Sequence, residues 1–306
     1  MAKKNKKFGG ELEAELMRAS YGNDLPLVKE LLAKGANPNL QSSKYSELAL
    51  GVATSIDVCR TLLEAGADPN LLGRYGSSAY HSAISSDSLD RIRLFEHFGA
   101  DINHADAHGW LPIHRAALSG SYFALERLLG KGVDPNHGGL SRNVNPLGLA
   151  VVCGPSFSGA LECVKLLLAA GANPNQRESN GETPMHAAAR RGWKYALELM
   201  IDAGGKLDED PLVEGGLLHE SCRADDASAT MFLLGKYGLD VDVKIAGRTL
   251  LQMFSSKPQA KAQIREGLRQ IAARQIQGDI SALIDECLPG LRASSKPARP
   301  SQGASL

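Results

Sequence analysis

The sequence predicts an all-α solenoid of stacked helix pairs joined by short hairpin loops. The first observation behind this is one phrase repeated at nearly constant spacing: GANPN ending at Asn39, GADPN at Asn70, GADIN at Asn103, GVDPN at Asn136 and GANPN at Asn175. The opening glycines, Gly35, Gly66, Gly99, Gly132 and Gly171, lie 31, 33, 33 and 39 residues apart. A period of about 33 residues is that of two-helix units that bury their apolar faces by stacking. The second observation is that the intervals carry apolar residues at helical spacing, divided by turn signals.

The unit from Ala105 to Asn136, ADAHGWLPIHRAALSGSYFALERLLGKGVDPN, shows each signal in order. Pro112 suits a first helical turn, where its missing donor costs little. His114, Ala117 and Leu118 follow at helical spacing, and Gly120 ends the helix. A second helix begins near Ser121 and sets Leu125, Leu128 and Leu129 on one stripe. Gly132 then stands where a backbone with positive φ closes the helix.

These residues resemble the ankyrin repeat, whose pattern is roughly DxxGxTPLHxAAxxGxxxxVxxLLxxGADxN. Asp106, Gly109, Pro112, His114, Ala116, Ala117, Gly120, Leu128, Leu129, Gly132, Asp134 and Asn136 match it. Leu111 replaces the usual threonine and loses a capping hydroxyl. A second good copy carries Gly181, Thr183, Pro184, His186, Ala187, Ala188 and Gly192, with Leu197, Leu199 and Met200 in its last helix.

The remaining copies are degraded but in register. A first helix at Glu11 to Ser20 precedes a second half-unit at Leu25 to Asn39. Ser46 to Asn70 has ELAL in place of TPLH, and Ser78 to Asn103 has Ala79, Tyr80 and His81 there. Val144 to Asn175 reads NPLGLA, with Gly148 where the histidine belongs. Leu217 to Asp242 keeps His219, and Thr249 to Ser255 opens a final partial unit. The resemblance covers residues 11–256, about seven units. Residues 1–10 are expected to be a basic flexible leader, residues 257–288 a C-terminal helical cap, and residues 289–306 a disordered tail rich in Ser, Pro, Ala and Arg. Ile264, Leu268, Ile271, Ile280, Leu283, Ile284 and Leu288 are the apolar positions of the cap, which the stack needs for solubility. A partner-binding or dimerising helix is the alternative there.

Bulk composition excludes several classes. Lys plus Arg is 34 and Asp plus Glu is 34, so no global field attracts nucleic acid or anionic lipid. The five cysteines form no CxxC pair, which argues against a disulfide scaffold or a thiolate metal site. No apolar stretch reaches membrane-spanning length. The leader has Lys3, Lys4, Lys6 and Lys7 but no hydrophobic run after them, unlike an ordinary secretory signal. A solvated tail, a membrane or nucleic-acid contact and a translocation address all remain open for it.

No nucleophile, phosphate-loop or zinc motif is present, so no catalytic residue, cofactor or metal is expected. His81, His114, His186 and His219 share one repeat position, and the resemblance makes them structural. His104 and His108 flank a hairpin tip with Asp106 between them, and a polar binding edge is preferred there to a metal site. The resemblance also nominates hairpin tips and inner-helix faces as a protein-binding groove. Its candidates are Arg74, Tyr75, His104, Asp106, His108, Trp110, Arg142, Asn143, Arg177, Glu178 and Asn180, with Ser119, Arg190, Arg191 and Trp193 contributing from helix ends. Trp110 is the sharpest choice as an anchor, against packing on the adjacent hairpin. Phe157 joins the candidates because the Gly132–Gly171 interval is six residues too long, five of them around Cys153 to Gly159.

The expectation is therefore a non-catalytic adaptor or inhibitor, monomeric and cytoplasmic, that binds a protein of unknown identity. The alternatives are a bacterial effector delivered into a host cell, a nucleic-acid-associated regulator, or an enzyme with a site in the groove or C-terminal helices.

Overall fold

The structure is a computed structural model that describes residues 8–42, 47–139, 144–154, 159–210, 212–225, 227–239, 243–270 and 273. Helices follow one another in pairs: α1 (Glu11–Tyr21) and α2 (Leu25–Ala33), α3 (Ala49–Val52) and α4 (Ile56–Glu64), α5 (Ala79–Ser85) and α6 (Leu89–His97), α7 (Pro112–Ser119) and α8 (Tyr122–Gly130). The series continues with α9 (Pro146–Cys153) and α10 (Ala160–Ala169), α11 (Pro184–Arg190) and α12 (Lys194–Asp202), α13 (Leu217–Ser221) and α14 (Ser228–Tyr237), then α15 (Leu250–Met253). A further helix, α16, has residues 258–270 as its continuous described part. First helices pack on first helices to form an inner row, and second helices form an outer row. The core between the rows is one continuous stripe from Leu16 to Ile264.

Local chemistry explains the pairs. Pro112, Pro146 and Pro184 each open an inner helix. The glycines after the outer helices have φ near +90° (Gly35, Gly66, Gly99, Gly132, Gly171 and Gly204). A Cβ at any of them would meet nothing within 4 Å, so conformation and not space demands glycine. The turn they make lets Ala67 N–H donate to Leu62 O at 2.9 Å and Ala172 N–H to Leu167 O at 2.9 Å.

Asparagines at the end of the repeated phrase bind neighbouring units together. Asn39 Nδ2 donates to Gly66 O at 2.7 Å, and its Oδ1 accepts from Asp68 N–H at 2.8 Å. Asn70 does the same with Gly99 and Asp101, Asn136 with Gly171 and Asn173, and Asn175 with Gly204 and Lys206. Among the described residues, the rung from Asn103 to Gly132 and Asp134 is missing. Outer helices are capped across units as well. Asn23 Oδ1 accepts from Ser55 N–H at 2.8 Å, and Asp87 Oδ1 from Ala124 N–H at 2.7 Å.

The two ends stand differently against the expected boundaries. Phe8–Gly9 (β1), inside the expected flexible leader, pairs in parallel with Gln41–Ser42 (β2). At the other end, α16 begins directly after the expected cap boundary at 257. Ala260 and Ile264 of α16 are fully buried, and Gln263 Oε1 accepts from Ala227 N–H at 2.9 Å. A hairpin, β3 (Lys244–Ile245) and β4 (Arg248–Thr249), leads into α15. Its two-residue turn, Ala246 and Gly247, has φ of 48° and 77°, the hand that suits a tight hairpin. Helix α15 thus lies in the expected partial unit and α16 in the expected helical cap. Residues 274–288 of the expected cap and the whole 289–306 tail lie outside the described residues.

Candidate functional site

The histidines at the shared repeat position sit at the starts of inner helices. His114 Nδ1 accepts from Leu111 N–H at 3.1 Å, which places the ring proton on Nε2, where it donates to His137 O at 2.8 Å. His81 Nδ1 lies 2.8 Å from Ser78 Oγ, and His186 Nδ1 2.8 Å from Thr183 Oγ1. His219 Nδ1 accepts from Gly215 N–H at 3.1 Å. Burial pushes the His81 and His114 imidazoles down to about 4, so both are neutral at physiological pH. His81 Nε2 is buried with no hydrogen-bond partner, unlike the matching atom of His114.

The nominated binding residues separate into three groups. Arg74 and Tyr75 stand exposed at a hairpin tip, with the guanidinium carbon 6.0 Å from the ring centroid. Tyr75 is 74% exposed. His108 is exposed on the next tip, and Arg177 and Asn180 on a later one. Arg177 donates to Gly181 O at 2.6 Å, and Asn180 braces Glu182 through both ends of its amide.

The second group is turned inward. Asp106 is a correction to the sequence expectation, because it is buried and both carboxylate oxygens are occupied. Oδ1 accepts from His108 N–H at 2.8 Å and Trp110 N–H at 3.0 Å, while Oδ2 receives Arg115 Nε at 2.8 Å. Burial alone would raise its pKa, but the bonds from Trp110, Arg115 and His108 outweigh it and hold the carboxyl below its ordinary value. Trp110 is half-buried, with the Arg115 guanidinium 5.2 Å over its ring, so it packs on its own unit as well as edging the surface. His104 is half-buried with its ring centroid 6.4 Å from that of His81. Glu178 is half-buried, and its carboxylate covers Gly148, the glycine standing in for the repeat histidine. Desolvation raises its pKa. Trp193 is only 5% exposed and belongs to the core. Arg142, Asn143 and Phe157 lie outside the described residues.

The inner-helix row supplies the third group, partly missed by sequence reasoning. The residues following the repeat position of the histidine are Ser82, Arg115, Leu149, Ala187 and Glu220, and the residues three farther on are Ser85, Leu118, Val152, Arg190 and Arg223. Val152 is 41% exposed at the end of α9. Arg191 reaches back to the C-terminal cap of α9, since a Cβ at Gly154 would stand 3.4 Å from its guanidinium. Arg190 is instead held between Glu182 and Glu220, donating through Nε to Glu220 at 2.6 Å. Counting three and four residues on from the histidine position in every unit would have found Val152.

Among the described residues, no three His, Cys, Asp or Glu side chains converge as metal ligands, and no helix is long and apolar enough to cross a membrane. Burial pushes the Cys59 and Cys222 thiols up to about 11 and Cys163 to about 12, which removes them as nucleophiles.

Comparison with known proteins agrees with this geometry. The sequence pattern of the family described as Ankyrin repeats matches in three copies, at residues 16–106, 48–138 and 147–245. The human transient receptor potential cation channel subfamily A member 1 is 30% identical over 237 residues, 72% of this chain and 20% of that protein. The chicken nuclear factor NF-kappa-B p105 subunit is 32% identical over 182 residues, 58% of this chain and 18% of that one. The chain thus spans a fifth or less of these two relatives, and about a third of the mouse B-cell lymphoma 3 protein homolog (36%). Among solved structures, the human ASB11 ankyrin repeat domain superposes with a TM-score of 0.61 at 28% identity, over 72% of this chain and 96% of that one. An ankyrin repeat domain from Acinetobacter baumannii gives 0.54 at 31% identity, over 62% and 98%. The chain belongs to the ankyrin-repeat family.

Proposed function

We propose that this protein is a non-catalytic adaptor or inhibitor that engages a protein partner along the groove between its hairpin tips and its inner-helix row. The observation that carries this reading is a division of labour among its polar side chains. Asp106, Arg115, Arg190, Glu220 and His114 are consumed by internal bonds, while Arg74, Tyr75 and His108 are exposed at hairpin tips and Val152 and Arg191 at the ends of inner helices. Exposed tyrosine and arginine are among the residue types that anchor protein interfaces. Ankyrin repeats are a general protein-interaction module, and the ready-made, rigid groove lowers the ordering cost of association. Recruitment and occlusion both follow from such a surface, since each needs only a partner held in place.

Affinity capture with wild type, Tyr75→Ala and Arg191→Glu tests this reading. A partner held by wild type and lost by both variants, with unchanged circular dichroism, supports it. A partner retained equally by both folded variants removes the groove assignment.

A further inference from the structure

The last described stretch of the chain carries an uncompensated charge. From Val243 to Gln270 there are six cations, Lys244, Arg248, Lys257, Lys261, Arg265 and Arg269, and one carboxylate, Glu266. Lys257 is occupied, since its ammonium donates to Ala224 O at 2.7 Å and stands 3.7 Å from Asp225. Three of the others form a stripe. Lys261, Arg265 and Arg269 follow one another at four-residue intervals and so share one side of α16.

That side faces away from the rest of the stack. Gln263 Oε1 accepts from Ala227 N–H at 2.9 Å, and Gly267 lies against Met231, so these two residues mark the side turned toward α14. Arg265 and Arg269 come two residues after them, about 200° around the helix. Both are exposed. Arg269 meets Glu266 at 3.7 Å in open solvent, a contact of little worth. Lys261 and Arg265 make no ion pair among the described residues. Leu268 of α16 and Leu251 of α15 are half-buried against the end of the core. Earlier outer helices pack on the next one in this direction, as α12 does on α14. On α16 the corresponding side carries the cations.

The chain that follows has the opposite charge. From Gln275 to Leu291 there are three carboxylates, Asp279, Asp285 and Glu286, and no cation. The same stretch sets Ile280, Leu283, Ile284, Cys287 and Leu288 at the spacing of one helical face. Asp279 after Gly278 is a start signal for such a face, and Pro289 a stop. Eight residues, 271–278, separate Asp279 from Gln270. Connections this short join antiparallel neighbours, and the α14 side of α16 is already taken.

We infer that residues 279–288 of this chain dock along the free side of α16 and close the end of the stack. Their carboxylates meet the Lys261, Arg265 and Arg269 stripe, and their apolar side chains cover Leu268 and Leu251. A reversal centred near residue 276 brings Ile284 level with Leu268, and Glu286 within about one turn of both Arg265 and Arg269. Arg265 then has a carboxylate for its forked donors. The closure joins one chain to itself, so it needs no partner and leaves the groove open. Part of its strength is electrostatic, and salt loosens it.

The test is hydrogen exchange of the full chain, read by mass spectrometry on peptides covering residues 279–288. These amides should exchange at least tenfold more slowly than in a free peptide of the same sequence, and high salt should reduce the difference. Arg265→Glu/Arg269→Glu and Asp285→Lys/Glu286→Lys should each abolish the protection, and the variant that combines all four changes should restore it. The α16 positions are exposed, and unchanged protection of α7 to α12 confirms that the variants fold. Cys287 supplies a second measurement. In Arg265→Cys, mild oxidation should link residue 265 to Cys287 within one chain, whereas Gly235→Cys, on α14, should not link to it. No protection in wild type, protection indifferent to both charge reversals, no rescue in the combined variant, or a 265–287 disulfide formed only between chains would each overturn the inference.

Discussion

Replacing Asn136 with alanine and, separately, Asn103 with alanine makes the same chemical change at equivalent repeat positions but should have different consequences. Asn136 donates to Gly171 O at 3.0 Å and accepts from Asn173 N–H at 2.7 Å, bridging two units. Each bond contributes about 1 kcal/mol net. Asn136 is half-buried and its two bonds lie open to solvent, so water partly replaces the amide, and the expected loss is about 1–2 kcal/mol. Asn103 has no such bridge, though its amide oxygen and nitrogen are chemically the same. Asn103→Ala should therefore cost less than about 0.5 kcal/mol, the range of an ordinary surface substitution. The assay is urea unfolding followed by far-ultraviolet circular dichroism, with the slope compared as well as the midpoint. Stacked units unfold partly independently, so a weakened Asn136 rung is also expected to broaden the transition. Equal destabilisation by the two substitutions would refute the reasoning, because it would mean that the asparagine acts within its own turn and not between units.

Three further outcomes follow from the internal bonds and the exposed tip. Arg115→Ala leaves the buried Asp106 carboxylate with only its backbone donors, and a loss of roughly 3 kcal/mol is expected by denaturant titration, against about 0.5 kcal/mol or less for Arg74→Ala. His81 and His114 titrate near 4 in the folded chain and near 6.5 when unfolded. The unfolded chain thus binds more protons, and the stability these rings contribute is present above pH 6.5 and lost as pH falls from 6.5 to 4. Each ring accounts for roughly 3 kcal/mol of that slope, and His114→Gln should flatten it in a series of melts between pH 7 and 4. Tyr75→Ala should leave the melting temperature unchanged yet weaken partner binding about tenfold or more by calorimetry, as removal of an exposed anchor does.

The architecture was legible because its signals are covalent and local. Positive-φ glycines, helix-opening prolines and apolar stripes act within a unit, and the 33-residue period multiplies them. Helix α16 was legible as part of a helical cap, but its packing on α14, where Gly267 faces Met231, was not, because no repeat phrase continues beyond Thr249 to Ser255. The site was less legible than the fold. Arg74, Tyr75 and His108 stand at tips where repeat register puts them. Asp106 looked equally available, but its inward turn depends on Arg115, nine residues later, and no spacing rule reports whether a carboxylate is already occupied. Trp110 is similar, since its exposure is decided by the guanidinium laid over it.

Glu178 offers the most informative case, because it fills space left by a degraded neighbouring unit. The fifth inner helix has Gly148 where the others have the repeat histidine, and so lacks the imidazole that would tie the adjacent turn. Asn145 caps that helix directly, accepting from Gly148 N–H at 2.6 Å. The carboxylate of Glu178, from the following hairpin, occupies the space in which a Cβ at 148 would stand. Gly148→Ala improves helix propensity by about 1 kcal/mol, and on propensity alone it should stabilise the chain. The added methyl meets only the far end of the Glu178 side chain, a desolvated carboxylate that no side-chain hydrogen bond holds among the described residues. It turns toward solvent at little cost, so most of the propensity gain survives and Gly148→Ala should stabilise the chain in a urea titration. Glu178→Ala removes a desolvated carboxylate and should cost little by itself. The double variant should then be additive within about 0.5 kcal/mol in a double-mutant cycle. A destabilised Gly148→Ala, or a coupling of about 1 kcal/mol or more, would refute the reasoning, because it would mean that the carboxylate is locked between the degraded unit and its neighbour.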